Sequence, residues 1–411
     1  MKKLFLGGCL LVLTGFANAQ LKGVLNRAKE KISSKTSEKV NKKVDDTVDG
    51  NSGDNTSTKE NSETDATGNS PNPAPIKAYS KYDFVPGEKI IVFEDFMQDA
   101  VGDFPDKWNT NSSGEIVTIE GKPGHWLRIN KQGVFIPEFI DSLSDDFTFE
   151  FELLCDNPGG IWALYTSIAM LDDRNHPENW QSANSRFTFT VAPQSDGNCT
   201  SAIERRKDGV GEATTSTTTK QFSDKTKPVH VAVWRQKERV RVYFNEEKTW
   251  DLPKAMAKDA KYNSVVYWLQ GPGQNASYFI SNLRLAVGAP DTRNKLIAEG
   301  KWVTHGILFD VNSASIKAES YGSMKEIANV LKENADVRVK IVGHTDADGS
   351  DAANLDLSKR RAAAVKEGLA KEFGIDESRM ETDGMGESKP IDKNDNPAGK
   401  ANNRRVEFIK L

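Results

Sequence analysis

GHTDADGSDAANLDLSKRRA, residues Gly343 to Ala362, decides how the C-terminal part of this 411-residue chain is read. An apolar run, Val337 to Val342, precedes it and reads as a strand. Asp346 then falls on a tight turn, and a helix follows. On that helix Asn354, Leu357 and Arg361 are spaced i, i+3, i+7 and share one stripe. One fixed carboxylate near one guanidinium suits a zwitterion carrying both an ammonium and a carboxylate. The plain alternative is an exposed salt bridge that closes a turn.

The stretch itself holds Gly343 to Gly349 as GHTD-x-x-G and Asn354 to Ala362 as N-x-x-LS-x-x-RA, and two further segments flank it in order: Gly306-Ile-Leu-Phe309-Asp310, read as an opening strand, and Asn403-Arg-Arg-Val-Glu-Phe408. Together they resemble the OmpA-like peptidoglycan-binding domain, over about Gly300 to Leu411. The resemblance implies an α/β fold of βαβαββ order. It also implies a ligand, the meso-diaminopimelate side chain of a peptidoglycan stem peptide. In the family, the acid of the HTD segment takes the ligand's ammonium and the arginine of LS-x-x-R its carboxylate. Those residues match Asp346 and Arg361 here. Asp310, after the first strand, and Leu357, before the arginine, match further family positions, and Asn354 lies on the same stripe. Arg404 and Arg405 fall in the closing strand and are expected to be structural. A charge-assisted hydrogen bond contributes about 1.5–3 kcal/mol. Single sites of this kind are therefore weak, and a polymer with repeated stems adds avidity.

Outward from there, the helix before it is expected over about Ser320 to Lys332, with Met324, Ile327, Ala328 and Leu331 facing a sheet. Helix two should bury Ala362, Val365 and Leu369. Asp346-Ala-Asp348 and Asp392 to Asn396 carry hints of calcium loops but lack the rest of an EF-hand, so they read as polar loops.

Residues 87–289 change character to short alternating runs between turns, such as Phe147 to Leu153, Phe187 to Val191, Val229 to Trp234, Val240 to Phe244, Val265 to Leu269 and Phe279 to Val287. Period-two alternation of this length means half-buried antiparallel strands. His230 to Glu247 reads as a hairpin with a second turn at Asn245. It resembles the central hairpin of laminin-G and concanavalin-like jelly rolls. The fold class expected is therefore multidomain: an all-β jelly-roll sandwich, then the α/β domain of residues 296–411.

Such sandwiches often bind glycans, so a glycan or protein ligand is expected of this domain. Trp108, Trp126, Trp162, Trp180 and Trp250 are available as platforms, though tryptophans in a sandwich are mostly core. Asp172 and Asp173 could meet calcium but read as solvated. Glu150 and Glu152 could form a glycosidase pair. Lying opposite Phe149, Phe151 and Leu153, they read instead as an ordinary solvent face, and no enzyme is expected. No metal site or cofactor is expected either.

The N-terminus has a basic start at Lys2 and Lys3, an apolar run from Leu4 to Phe16, and Ala17-Asn18-Ala19 before Gln20. That is a signal peptide, residues 1–19. Cys9 sits mid-run, so no lipid anchor is expected. Residues 20–48 read as an amphipathic helix and 49–86 as a flexible linker. The chain is then exported to the periplasm and cell envelope, on peptidoglycan and near the outer membrane, with only indirect membrane association. Net charge is −4, or −6 without the signal lysines, which argues against nucleic acid. Cys155 and Cys199 remain in an oxidising compartment, and a disulfide between them stays open. The alternative class is an outer-membrane β-barrel with a wall-binding domain; charged second faces (Arg239, Arg241, Lys248) argue against it.

Overall fold

A computed structural model describes residues 82–156, 163–212, 214–271, 276–288 and 291–411. The signal, the amphipathic helix, nearly all of the linker and Trp162 lie outside these residues. Residues Ile76–Leu411 form one compact unit.

Alternating sequence builds two large antiparallel sheets. The first runs Glu247–Leu252, Arg239–Phe244, Val229–Gln236, Asp146–Cys155, Tyr278–Val287, Lys122–Ile129, Glu115–Ile119, with Lys89–Glu94 also against Tyr278–Val287. In the second, Cys199–Lys207, Arg186–Pro193, Leu164–Ala169, Ser264–Leu269, Gly133–Pro137 and Trp108–Thr110 are neighbours in that order. These are separate sheets, not one closed ring as the barrel alternative needs. Asn245 turns the hairpin with φ 48°, a left-handed conformation that asparagine tolerates.

Between the sheets lies one core. Phe147, Phe149, Phe151 and Leu153 reach it from the first, Phe187, Phe189, Val191 and Tyr267 from the second. Phe151 meets Tyr267 edge-on at 5.4 Å, and Trp108 stacks on Tyr267. Fully burying each such ring contributes roughly 1.5–3 kcal/mol. Trp108, Trp126 and Trp180 are all buried.

Cys155 and Cys199 are free thiols. The disulfide left open by the sequence is not formed; each Sγ lies beside a neighbouring backbone carbonyl, Asp156 and Thr200 respectively. Burial raises both thiols, Cys199 to about 12.

The C-terminal sheet has the order Lys301–Thr304, Val406–Lys410, Val339–His344, Met380–Gly386. Only the last pair is parallel. The opening strand is therefore Lys301–Thr304, not Gly306 to Asp310. That segment follows the strand, and of it only Phe309 makes a bridge, to Ile316. Helix Tyr321–Glu333 buries Met324, Ile327, Ala328 and Leu331. Helix Asp351–Phe373 is capped by Ser350, whose side chain accepts from Ala353 N, and stops at Gly374 in the left-handed region. It buries Ala362, Val365 and Leu369. Its close approach to the sheet needs Gly343, where a Cβ would sit 2.3 Å from the Ser358 carbonyl oxygen. A short helix, Pro397–Asn403, precedes the closing strand.

Two expectations fail where the halves meet. The linker was expected to run to residue 86, yet Tyr82, Phe84 and Val85 are buried. Both rings pack edge-on to Tyr243, and the Phe84 carbonyl would lie 1.9 Å from a Cβ at Gly322. Aromatic residues inside a polar-looking segment have found a groove. Likewise Glu150 and Glu152 do not face water: Glu150 is 2% exposed. They leave the sandwich core as alternation requires, but the C-terminal domain covers that outer face.

Candidate functional site

Strand Val339–His344 ends at the turn that carries Asp346, and Asn354 fixes that turn from the next helix. Its buried amide donates to the carbonyls of Asp346 and Asp348 at 3.3 and 3.1 Å and to Glu387 at 2.5 Å. Asparagine here is a staple for the loop, which leaves Asp346 8% exposed.

Asp346 does not pair with Arg361. Its Oδ2 lies 2.5 Å from Arg404 Nη1, from the segment expected to be structural more often than in contact with ligand. Oδ1 receives only a long bond, 3.3 Å, from Asp348 N. Arg404 is held in turn by the sandwich, with its guanidinium carbon 5.2 Å from the centre of the Phe93 ring. Sequence reasoning missed both Arg404 and Phe93 as members of the site. NRRVEF was the only signal for the first, and nothing local marks the second.

Arg361 lies over Phe309 at 4.9 Å. Its Nε donates to the Ser313 carbonyl at 3.0 Å and Nη2 reaches the Asp310 carbonyl at 3.5 Å. No described carboxylate forms an ion pair with it. Burial lowers its pKa and Arg404 adds to that, while Asp346 opposes. A half-buried guanidinium without a counter-charge can receive an anionic group. Asp310 is exposed and serves Arg361 through its backbone, and Leu357 is half-buried on the same helix.

Behind the pair, Arg405 and Glu407 form a buried couple at 2.7 Å, with Lys301 and His344 also on Glu407. Burial would raise the Glu407 carboxyl, but His344, Lys301 and Arg405 together hold it well below the usual range. Arg361 and Arg404 also line a cavity of about 450 Å³ between the two halves of the unit, with Phe93, Met97, Glu150, Glu152 and His230.

A small α/β domain with an acid on its strand-end turn and an arginine on the following helix is the class that this geometry defines. Residues 308–404 match the OmpA family, so the C-terminus is an OmpA family domain. Outer membrane porin F of Pseudomonas aeruginosa is 39% identical over 111 residues, 27% of this chain and 32% of that protein. Peptidoglycan-binding protein ArfA of Mycobacterium tuberculosis is 35% identical over 139 residues, 34% and 38% respectively. The chain thus spans about a third of the length of these relatives. Carbohydrate-binding module CBM66 from Bacillus subtilis aligns in structure over 44% of this chain and 95% of its own, with TM-score 0.30 and 15% identity. No described helix is long and apolar enough to cross a membrane.

Proposed function

We propose that the C-terminal domain binds peptidoglycan without covalent chemistry, and so holds the sandwich domain in the cell envelope. The ligand is the diaminopimelate side chain of the stem peptide, with Arg361 on its carboxylate and Asp346 on its ammonium. The observation that carries this reading is the unneutralised Arg361 guanidinium, held near an Asp346 whose Oδ1 keeps acceptor capacity. Arg404 then neutralises the acid between ligands and shares it when an ammonium arrives. Asn354 sets the loop, Asp310 and Leu357 border the site, and a relative named for peptidoglycan binding supports the choice of ligand. Residues 1–19 serve as the export signal, 20–48 and the following linker precede the sandwich of 87–289, and that domain takes a glycan or protein partner.

Co-sedimentation with purified sacculi tests this. Asp346→Ala and Arg361→Ala are each expected to abolish pull-down while circular dichroism stays unchanged. Pull-down equal to the unmodified chain by both folded variants would overturn the assignment.

A further inference from the structure

Beyond wall binding, a second cluster stands on the covered face of the sandwich. Strand Asp146–Cys155 presents Glu150 and Glu152 on one side, and the neighbouring strand Val229–Gln236 puts His230 directly opposite Glu152. His230 Nδ1 is 3.2 Å from Glu152 Oε1, and Nε2 is 3.2 Å from Glu150 Oε2. Arg284 holds Glu150 with two bonds of 3.0 and 2.7 Å. From the C-terminal domain, the single turn Ala318–Ser320 brings in Glu319. One donor atom each of Glu152, His230 and Glu319 lie within 4.8 Å of one another. Glu319 makes no hydrogen bond or ion pair with a described residue.

We propose that Glu152, His230 and Glu319 form a site for a divalent cation of the zinc class, which joins the sandwich to the C-terminal domain. Charge argues for it. Arg284 already matches Glu150, so when His230 is neutral Glu152 and Glu319 bring two negative charges to one point, with Lys317 the further cation acting on Glu152. A divalent ion on a neutral imidazole balances both. On binding, the Nδ1–H bond breaks, the proton leaves to solvent and the nitrogen lone pair takes the metal. Nε2–H then donates to Glu150, the carboxylate–histidine–metal relay that fixes tautomer and ring orientation. An imidazole with two carboxylates favours zinc over calcium or magnesium, which prefer all-oxygen shells. Three protein donors leave a fourth position, and Glu152 and His230 both border the 450 Å³ cavity, which has room for a water there. A plain ion-pair network, with an imidazolium between two glutamates, uses the same distances and binds no metal.

Calorimetric titration of the EDTA-treated full chain with zinc separates the two, with thermal unfolding recorded alongside. One equivalent of zinc should bind, resist excess magnesium and calcium, and raise the unfolding midpoint. Glu319→Gln, at a partly exposed position, should keep the metal-free midpoint and weaken zinc by about tenfold or more. His176→Ala removes an exposed histidine beside Asp173 and Glu178 and should leave the binding intact. No stoichiometric zinc, equal binding by Glu319→Gln, or loss of binding in His176→Ala would each overturn the proposal. None of these results depends on sacculus binding.

Discussion

Asp346 and its partners show what single residues contribute. Asp346 and Arg361 could be nominated from sequence because their motifs are local: a turn and the helix beginning five residues later. Arg404 and Phe93 were not, because the strand bearing Phe93 meets the helix ahead of Arg404 across 312 residues of sequence. There Asn402 Oδ1 accepts from Ile90 N, and its amide donates back to Ile90 O. The sandwich therefore orients an arginine of the proposed ligand site. A cation–π contact is worth about 0.5–2 kcal/mol. Phe93→Ala should thus weaken binding of a diaminopimelate-containing peptide by roughly 2- to 30-fold, with Phe93→Tyr near the unmodified value. Isothermal titration reads this directly. Unchanged affinity in Phe93→Ala, beside a loss in Arg361→Ala, would remove Phe93 from the site and leave the ligand assignment standing.

Strand Asp146–Cys155 shows what an element can and cannot disclose. Period-two alternation predicts that it is a strand and that its phenylalanines point into the sandwich, both of which the structure has. The other face was expected to meet water because it carries glutamates. Nothing in a strand's own sequence says which element covers it, and here the cover comes from a domain that begins about 140 residues further on. Burying that face required each charge to find a partner: Arg284 for Glu150, and His230 between Glu150 and Glu152. Burial would raise the Glu150 carboxyl, but Arg284 and His230 outweigh it and hold it at about 2. Removing one member of such a buried pair strands the other. Arg284→Ala should therefore cost on the order of 3–5 kcal/mol in urea unfolding. Double replacement of Arg284 and Glu150 by apolar residues should recover much of that loss. A cost under about 1 kcal/mol for Arg284→Ala would mean that water reaches Glu150 and the face is not sealed.

At the scale of the molecule, the two domains read from the sequence form one compact unit, and His305 sits in the seam. Its Nε2–H donates to the Asn402 carbonyl at 3.0 Å, while its own carbonyl accepts from Arg284 at 3.1 Å. Burial lowers its pKa to about 4, and Arg284 and Arg405 add to this, against the pull of the Asn402 bond. The folded chain thus keeps a neutral imidazole where the unfolded chain has the ordinary value of 6.5. Between those values the unfolded state binds more protons, so stability rises with pH. The contribution of His305 is complete above 6.5 and fades as pH falls toward 4. A shift of this size corresponds to on the order of 3 kcal/mol. Unfolding midpoints in urea should fall from pH 6.5 to 4.5, above the range where the carboxylates of Glu150 and Glu407 take up protons. His305→Gln, which keeps a donor for the Asn402 carbonyl but cannot ionise, should flatten that slope while leaving stability at pH 7.5 nearly unchanged. An identical slope in the variant would show that the seam is held against acid by other groups. A flattened slope would show that acid weakens the unit at the junction through which the sandwich reaches Arg404.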